Sequence, residues 1–340
     1  MPRCGKLHSG ALLQNLIDSR QRVPLEVFRL RKWKRNQRMI KLPVIVGLGE
    51  TLWDVFPDGP RLGGAPLNFS CSAAELAQSD AQVFMVSAVG IDELGRRAIN
   101  ALTGHGVNTT CMQSDDHPTG QVLVELDAAG VASYRFAENC AWDHLSWNSA
   151  LQKLAANCDA VCFGTLGQRS DCSRATIQRF VAETPEDTLR ILDVNLRTPF
   201  FSDDVIRQSL ALANVLKLND EELPLLARLC SVQGSAVEIL RQLVEQYELR
   251  CAALTRGAKG AILVCGDEVS DLRGIEVVVT DTVGAGDAFT AAMTLGLLPG
   301  QNIDHVNRSA IATAAYVCSQ PGATMNFPAN LRHGWQKSIN

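Results

Sequence analysis

Short apolar runs alternate with amphipathic stretches along most of this chain. Val44-Ile45-Val46-Gly47-Leu48-Gly49 has no polar side chain, as expected of a strand buried on both faces. Asn68 to Gln78 predicts a helix, Val83 to Val89 a strand, and Gly95 to Gly104 a helix. Ala160–Phe163, Ile191–Val194, Val215–Leu218 and Ala252–Thr255 predict further buried strands, with helical stretches such as Ala236–Tyr247 between them. Strands alternating with helices imply an α/β fold with a mostly parallel sheet covered on both faces. One region breaks the rhythm. Gln121–Leu126, a turn at Asp127–Gly130, and Val131–Phe136 predict a β-hairpin. Asp54–Leu62 is a second non-helical insert, and the two together predict a small sheet outside the main one. Near the C-terminus, Glu276–Val279 predicts a strand and Ala288–Leu298 an Ala-rich helix.

The link between those last two elements is Asp281-Thr282-Val283-Gly284-Ala285-Gly286-Asp287-Ala288-Phe289. Its glycines allow a sharp turn into a helix, whose N-terminal N–H groups attract anions. Asp287 falls in the first helical turn, beside any anion bound there. A phosphate cradle with an adjacent carboxylate suits phosphoryl transfer, the carboxylate taking the proton of the attacking hydroxyl. Taken alone, the same residues also read as a turn and a carboxylate that complements the helix dipole.

They do not stand alone. The run closely resembles the C-terminal signature of the ribokinase-like (PfkB) carbohydrate kinases. That resemblance implies a three-layer ribokinase-like fold with a mostly parallel central sheet and a small β lid. It also implies that Asp287 is the catalytic base and that Gly284, Ala285 and Gly286 form the anion hole. Val283 stands where many members have a second Thr, which removes a hydroxyl but keeps the backbone.

Other motifs fit the same order. Gly49-Glu50-Thr51-Leu52-Trp53-Asp54 sits where a strand would lead into a dinucleotide fingerprint begun at Gly47, but the sixth position of that fingerprint is Leu52, and Trp53–Pro57 opens no helix. No GxxxxGK[ST] occurs, which excludes a P-loop kinase. Asp54 and Asn68 instead offer an acceptor and a donor–acceptor suited to vicinal hydroxyls, and Gly63-Gly64 permits a hinge. The bland alternative puts Asp54 in a turn and Asn68 on a helix cap. The resemblance, which continues through Gly90–Gly95, makes Asp54 and Asn68 sugar ligands and Gly63-Gly64 the lid hinge. Asp193-Val194-Asn195-Leu196-Arg197 looks like the D-x-N-x-R of fructokinase-type members, where Arg197 would neutralise the moving phosphoryl group; a surface Arg reads equally well. Asn219-Asp220-Glu221-Glu222 matches N-x-x-E, which implies Glu222 near Mg²⁺, through water, and Asn219 near the nucleotide. A helix cap explains the same four residues. Thr255-Arg256-Gly257-Ala258-Lys259-Gly260 resembles the family's phosphate-side loop, giving Thr255 and Gly257 nucleotide contacts. Asn307 and Gly322 fall in segments that resemble those wrapping the adenine in the family, although a surface-helix Asn is as good a reading of Asn307. Arg135, the one cation in Thr119–Phe136, is placed with the substrate-binding residues as a partner for a sugar-acid carboxylate.

Composition adds limits. The chain has 340 residues, 46% hydrophobic and 20% charged, which is ordinary for a soluble domain with an accessory element. No apolar run reaches membrane-span length. Eleven scattered cysteines with no CxxC pair predict reduced thiols, not a disulfide framework or zinc site. Residues 1–42 carry eleven Lys and Arg against two acids, so the remainder bears −13 of the total −4, which argues against nucleic acid as its partner. The basic arm reads as a targeting segment, a nucleic-acid or membrane-surface tail, or a start-assignment artefact; Met39, directly before the first strand, favours the last. The expected organisation is a basic extension over 1–42, a kinase domain over 43–328 with lid segments near 54–64 and 118–138, and a tail over 329–340. The expected activity is ATP- and Mg²⁺-dependent phosphorylation of a sugar, D-fructose first, in the cytoplasm. A monovalent cation as activator and a homodimer through the lid belong to the same expectation. Kinases of 2-keto-3-deoxygluconate, ribose or a nucleoside are the alternatives, and a non-catalytic sugar or nucleotide sensor is the alternative of another class.

Overall fold

In a computed structural model of the chain, residues 41–126 and 132–332 are described. Strand β1 (Val44–Leu48) is buried at all its positions. It leads into the hairpin of β2 (Leu52–Phe56) and β3 (Gly59–Gly63), then helix α1 (Ala65–Ala77) and β4 (Gln82–Val86). Next come β5 (Ala88–Gly90), α2 (Glu93–Gly104) and β6 (Gln113–Asp115), then the pair β7 (Gly120–Leu126) and β8 (Ala132–Phe136). A regular alternation continues the chain: α3 (Ser149–Ala155), β9 (Ala160–Phe163), α4 (Asp171–Ala182), β10 (Leu189–Asp193), α5 (Asp203–Leu212) and β11 (Val215–Asn219). The remainder runs α6 (Leu223–Cys230), α7 (Ala236–Gln246), β12 (Cys251–Thr255), β13 (Ala261–Cys265), β14 (Glu268–Leu272), α8 (Ala285–Leu297), α9 (Ile303–Cys318) and α10 (Ala329–Arg332).

Eight strands form the main sheet in the order β14-β13-β12-β11-β10-β9-β1-β4. Pairings from β4 to β12 are parallel, and the last two are antiparallel. Each face carries its own apolar core. One packs Phe180, Leu210, Leu226 and Leu240 from the helices between β9 and β12. The other packs Leu67, Phe289, Met293 and Val306 from α1, α8 and α9. The result is the three-layer α/β fold that the alternating pattern predicts. Local signals place the helix starts. Asp92 accepts the Gly95 N–H at 2.7 Å, and Ser235 with Glu238 forms a capping box on α7.

Gly47 sets how deep α1 lies. A Cβ at this point of β1 would overlap Ser70 Oγ and the Pro66 carbonyl oxygen, so the helix rests directly on the strand. The predicted accessory sheet also forms, in the order β3-β2-β7-β8, with Asp54 opposite Arg61 and Val122. The turn expected at Asp127–Gly130 lies outside the described residues, as do residues 1–40 of the basic arm and 333–340 of the tail. Among the described residues no helix is long and apolar enough to cross a membrane.

Two expectations fail. Glu276–Val279 is not a strand: residues 273–279 join no ladder, and Val278 is 88% exposed. A β-branched run needs a neighbouring strand to pair with, and this segment leaves the sheet to meet the end of α9, where Thr280 N donates to the Cys318 carbonyl at 2.8 Å. The cysteines are not all thiols. Cys251 and Cys265 form a disulfide between β12 and β13, because the antiparallel pairing of these neighbouring strands brings their ends together. Spacing along the chain carries no trace of that adjacency. The other described cysteines take part in no disulfide.

Candidate active site

The parallel strands end on one edge, and the conspicuous polar residues gather there, the usual place for a ligand in an open α/β sheet. Asp54 lies on β2, in the hairpin that follows β1, Asp193 ends β10, Asn219 ends β11 and Thr255 ends β12. Opposite them begins α8. Gly284 caps it with φ 78°, and a Cβ there would stand 2.7 Å from that of Ala323, so only glycine fits. Asp287 lies in the first turn, where the Ala285 N–H donates to the Thr282 carbonyl at 3.3 Å and no side chain caps the helix.

Asn68 of α1 donates from Nδ2 to Asp287 Oδ2 at 2.8 Å. This bond joins the Gly63–Asn68 motif to the nonapeptide across 219 residues. Burial pushes the Asp287 carboxyl up to about 7, and the nearby charge of Asp193 adds to it; Asn68, Lys217 and Arg197 pull the other way. A carboxylate of this kind is a competent base near neutral pH.

Beneath it is a network that the motifs alone do not reveal. Lys217 Nζ pairs with Asp193 Oδ1 at 3.0 Å, both side chains buried. Thr290 Oγ1 stands 2.9 Å from Asp193 Oδ2 and 2.9 Å from the Gly286 carbonyl oxygen. A Cβ on Gly286 would lie 3.0 Å from Lys217 Nζ, so the ammonium sits directly under the turn. Burial alone depresses Lys217, but Asp193, Glu222 and Asp287 outweigh it and hold the ammonium above its ordinary range. One signal points to it in the sequence: a lone Lys inside the apolar run Val215–Leu218 must find an acid.

Glu222 accepts the Leu196 N–H through Oε1 at 2.9 Å and the Asn219 N–H through Oε2 at 2.8 Å, tying β11 to the loop that carries Arg197. Asn219 Oδ1 in turn accepts the N–H groups of Glu221 and Glu222, as a cap would. Burial raises the Glu222 carboxyl, and the Lys217 charge opposes the rise.

On the accessory-sheet side, Asp54 sits on β2 facing Gly63, where a Cβ would lie 2.7 Å from its Oδ2. Gly64 has φ 111° and crowds the Glu50 carbonyl oxygen. Burial raises the Asp54 carboxyl and Arg197 opposes it. Arg197 is exposed, and its charge also reaches Glu50 and Asp287. Arg135 is not gathered in with these residues. It stands exposed on β8 opposite Leu123, two strands and about 10 Å by strand spacing from β2.

On the other side, Gly257 has φ 54° in the turn after Thr255, and Gly322 N donates to Asp281 Oδ2 at 3.2 Å. Asn307 is fully buried. Its Nδ2 donates to the Ala261 and Ser270 carbonyls at 3.1 and 3.2 Å, fastening α9 to β13 and β14. Exposed apolar side chains mark this side: Ile275, Val277, Val278, Val279 and Val283.

Comparison with known proteins identifies the family and the fold. A model of the pfkB family carbohydrate kinases matches residues 58–330. The fructokinase of Escherichia coli is 27% identical over 273 residues, spanning 74% of this chain and 83% of the relative. An uncharacterized sugar kinase from Pyrococcus horikoshii, crystallised in complex with ATP, has a TM-score of 0.69 at 25% identity and covers 83% of this chain and 94% of its own. A fructokinase from Vibrio cholerae, solved with fructose, ADP and a calcium ion, shares the fold with a TM-score of 0.72 at 22% identity, covering 87% and 99%. The chain therefore belongs to the pfkB family of carbohydrate kinases, phosphotransferases that act on a sugar hydroxyl.

Proposed function

We propose that this kinase transfers the γ-phosphoryl group of ATP to the terminal primary hydroxyl of D-fructose, giving fructose 6-phosphate and ADP. The observation that carries the reading is the 2.8 Å bond between Asn68 and Asp287, which sets a sugar-binding amide against a proton acceptor. The hydroxyl gives its proton to Asp287, its oxygen forms the new bond to the γ-phosphorus, and the bond to the β–γ bridging oxygen breaks to release ADP. The N-terminal turn of α8 at Gly284–Gly286 receives the γ-phosphate, with Lys217 under it and Arg197 beside it to offset the charge of the transferred group.

Mg²⁺ enters with the nucleotide, as MgATP. Among the described residues no group of three or more His, Cys, Asp or Glu side chains is placed to hold a metal, and both Glu222 oxygens already accept backbone N–H groups. Support for ATP and fructose comes from the relatives: the Pyrococcus kinase binds ATP, and the Escherichia and Vibrio proteins are fructokinases. Within Thr119–Phe136 the only cation is Arg135, too few to hold a second phosphate on the acceptor.

The test is kcat/KM, by coupled ADP release, for fructose, ribose, fructose 6-phosphate and 2-keto-3-deoxygluconate. Fructose should lead. A lead of the keto acid by more than about tenfold, roughly 1.4 kcal/mol of transition-state preference, replaces the fructose reading and brings Arg135 into the site. Turnover with none of them favours a sensor.

A further inference from the structure

Glu50 has no part in the phosphoryl transfer, yet its placement is the least expected in the site. It stands just beyond the end of β1 and is 2% exposed. Oε1 accepts the Ala65 N–H at 3.2 Å. Oε2 is buried and no hydrogen bond of good geometry reaches it, although the residue's own N–H lies near the carboxyl. The carboxyl lines a cavity at the strand ends together with Cys162, Phe163, Asp193 and Asn195. The charges of Asp287 and Arg197 both act on it. Leaving a buried acceptor unmade typically costs about 1–3 kcal/mol, more for a charged one. A second acceptor, Asn68 Oδ1, is buried without a partner on the same residue that donates to Asp287.

Two buried acceptors without partners, one on a residue that lines the cavity and one on the residue that donates to Asp287, call for a ligand that brings O–H donors. A cation is a poor candidate, since no cluster of three ligating side chains stands there among the described residues. A polyhydroxy compound supplies several donors at the separations of adjacent ring carbons.

We propose that Glu50 is a specificity-determining residue of the sugar site: Oε2 accepts a hydrogen bond from a sugar hydroxyl other than the one that Asp287 deprotonates. Through Oε1 the same side chain holds the first residue of α1, directly after the Gly63-Gly64 hinge, so the sugar and the helix that carries Asn68 are read by one carboxylate. The inference rests on the sugar-kinase reading but not on fructose being the sugar.

Glu50→Gln isolates the point, because the amide keeps an oxygen for Ala65 and puts an NH₂ donor where Oε2 accepted. At about pH 8 the variant should raise KM for the sugar at least about tenfold, with KM for ATP within about twofold and the melting temperature not lowered. Deoxy analogues of the accepted sugar then locate the hydroxyl. One analogue should lose about tenfold in kcat/KM with the wild-type enzyme and about twofold or less with Glu50→Gln. Equal losses in both proteins for every analogue, or an unchanged sugar KM, overturn the inference and leave Oε2 to a bound water. If no sugar is phosphorylated, the functional reading fails separately, and sugar-induced shifts in melting temperature are compared instead. A shift in the wild type that Glu50→Gln abolishes upholds the role of Glu50; equal shifts, or none, remove it.

Discussion

The two sides of the site face their ligands with different materials. Around Asn68, the side chains of Glu50, Asp193, Lys217 and Glu222 are buried and that of Asp287 is half-buried, and they bond chiefly to one another or to backbone N–H groups. From Ile275 to Val283 the surface offers exposed apolar side chains and main chain. The first side concentrates charge where the effective dielectric is low, so each group changes the behaviour of its neighbours. The second, which we assign to the nucleotide, spreads its contribution over contacts that are individually small. Substitutions should therefore be severe and coupled on one side, and mild and additive on the other.

Asp287→Asn is the sharpest test. The amide keeps the shape and can still meet Asn68 but cannot take a proton, so kcat should fall by about 10²–10⁴-fold while the fold persists. Retention of wild-type turnover would remove Asp287 as the base. Lys217→Met should come next, in stability as much as in rate. It leaves Asp193 buried without its 3.0 Å partner, and breaking such a pair costs about 3–5 kcal/mol. Urea denaturation reads this directly; a shift near zero would mean that water replaces the ammonium at little cost.

A pH series probes the same side without mutation. Because burial raises Asp287 to about 7, kcat/KM should climb as pH rises through that region and the base loses its proton. Stability should move the opposite way. Between its ordinary value near 3.8 and about 7, the folded state holds a proton that the unfolded state has released, so the melting temperature falls as pH rises across that window. Asp287→Asn should flatten the slope, and an unchanged slope would assign the effect to other groups, Glu50 first. The smallest effect belongs to the apolar side. Val278 is 88% exposed, and Val278→Ala should raise KM for ATP no more than about fivefold with kcat unchanged, since it removes about two methylene equivalents of contact. A loss as large as that of Lys217→Met would erase the contrast between the two sides.

What the sequence reveals divides along similar lines. Glycine-rich turns and carboxylates at fixed spacing are local, and the places of Asp287 and Gly284 at a helix start and the strand pairs of the accessory sheet are therefore legible from the chain alone. Strands β1, β9, β10, β11 and β12 are legible because a strand covered on both faces is mostly apolar, and Lys217 interrupts β11 without hiding it. The Lys217–Asp193 pair, the Cys251–Cys265 disulfide and the clamp made by Asn307 depend on which strands become neighbours, and spacing does not carry that. Glu222 shows a subtler limit. Its motif is plain in the sequence, but the direction of its two oxygens, toward the N–H groups of Asn219 and Leu196, comes only with the loop after β10 in place. Glu276–Val279 misleads for a related reason: four residues of strand composition form no strand when the fold gives them no edge to join.

Gly47 carries a consequence for how this enzyme tolerates sequence change. The amide of Asn68 reaches Asp287 only because α1 settles onto bare backbone at that point of β1. One methyl group there would lift the helix off the strand and draw the amide away from the carboxylate. Misplacement by about 1 Å can cost on the order of 10²-fold in rate even when it begins far from the chemistry. The mildest replacement available to that strand would then surface as a kinetic lesion in a chain that still folds, and anyone sorting variants by solubility or yield would pass it as neutral.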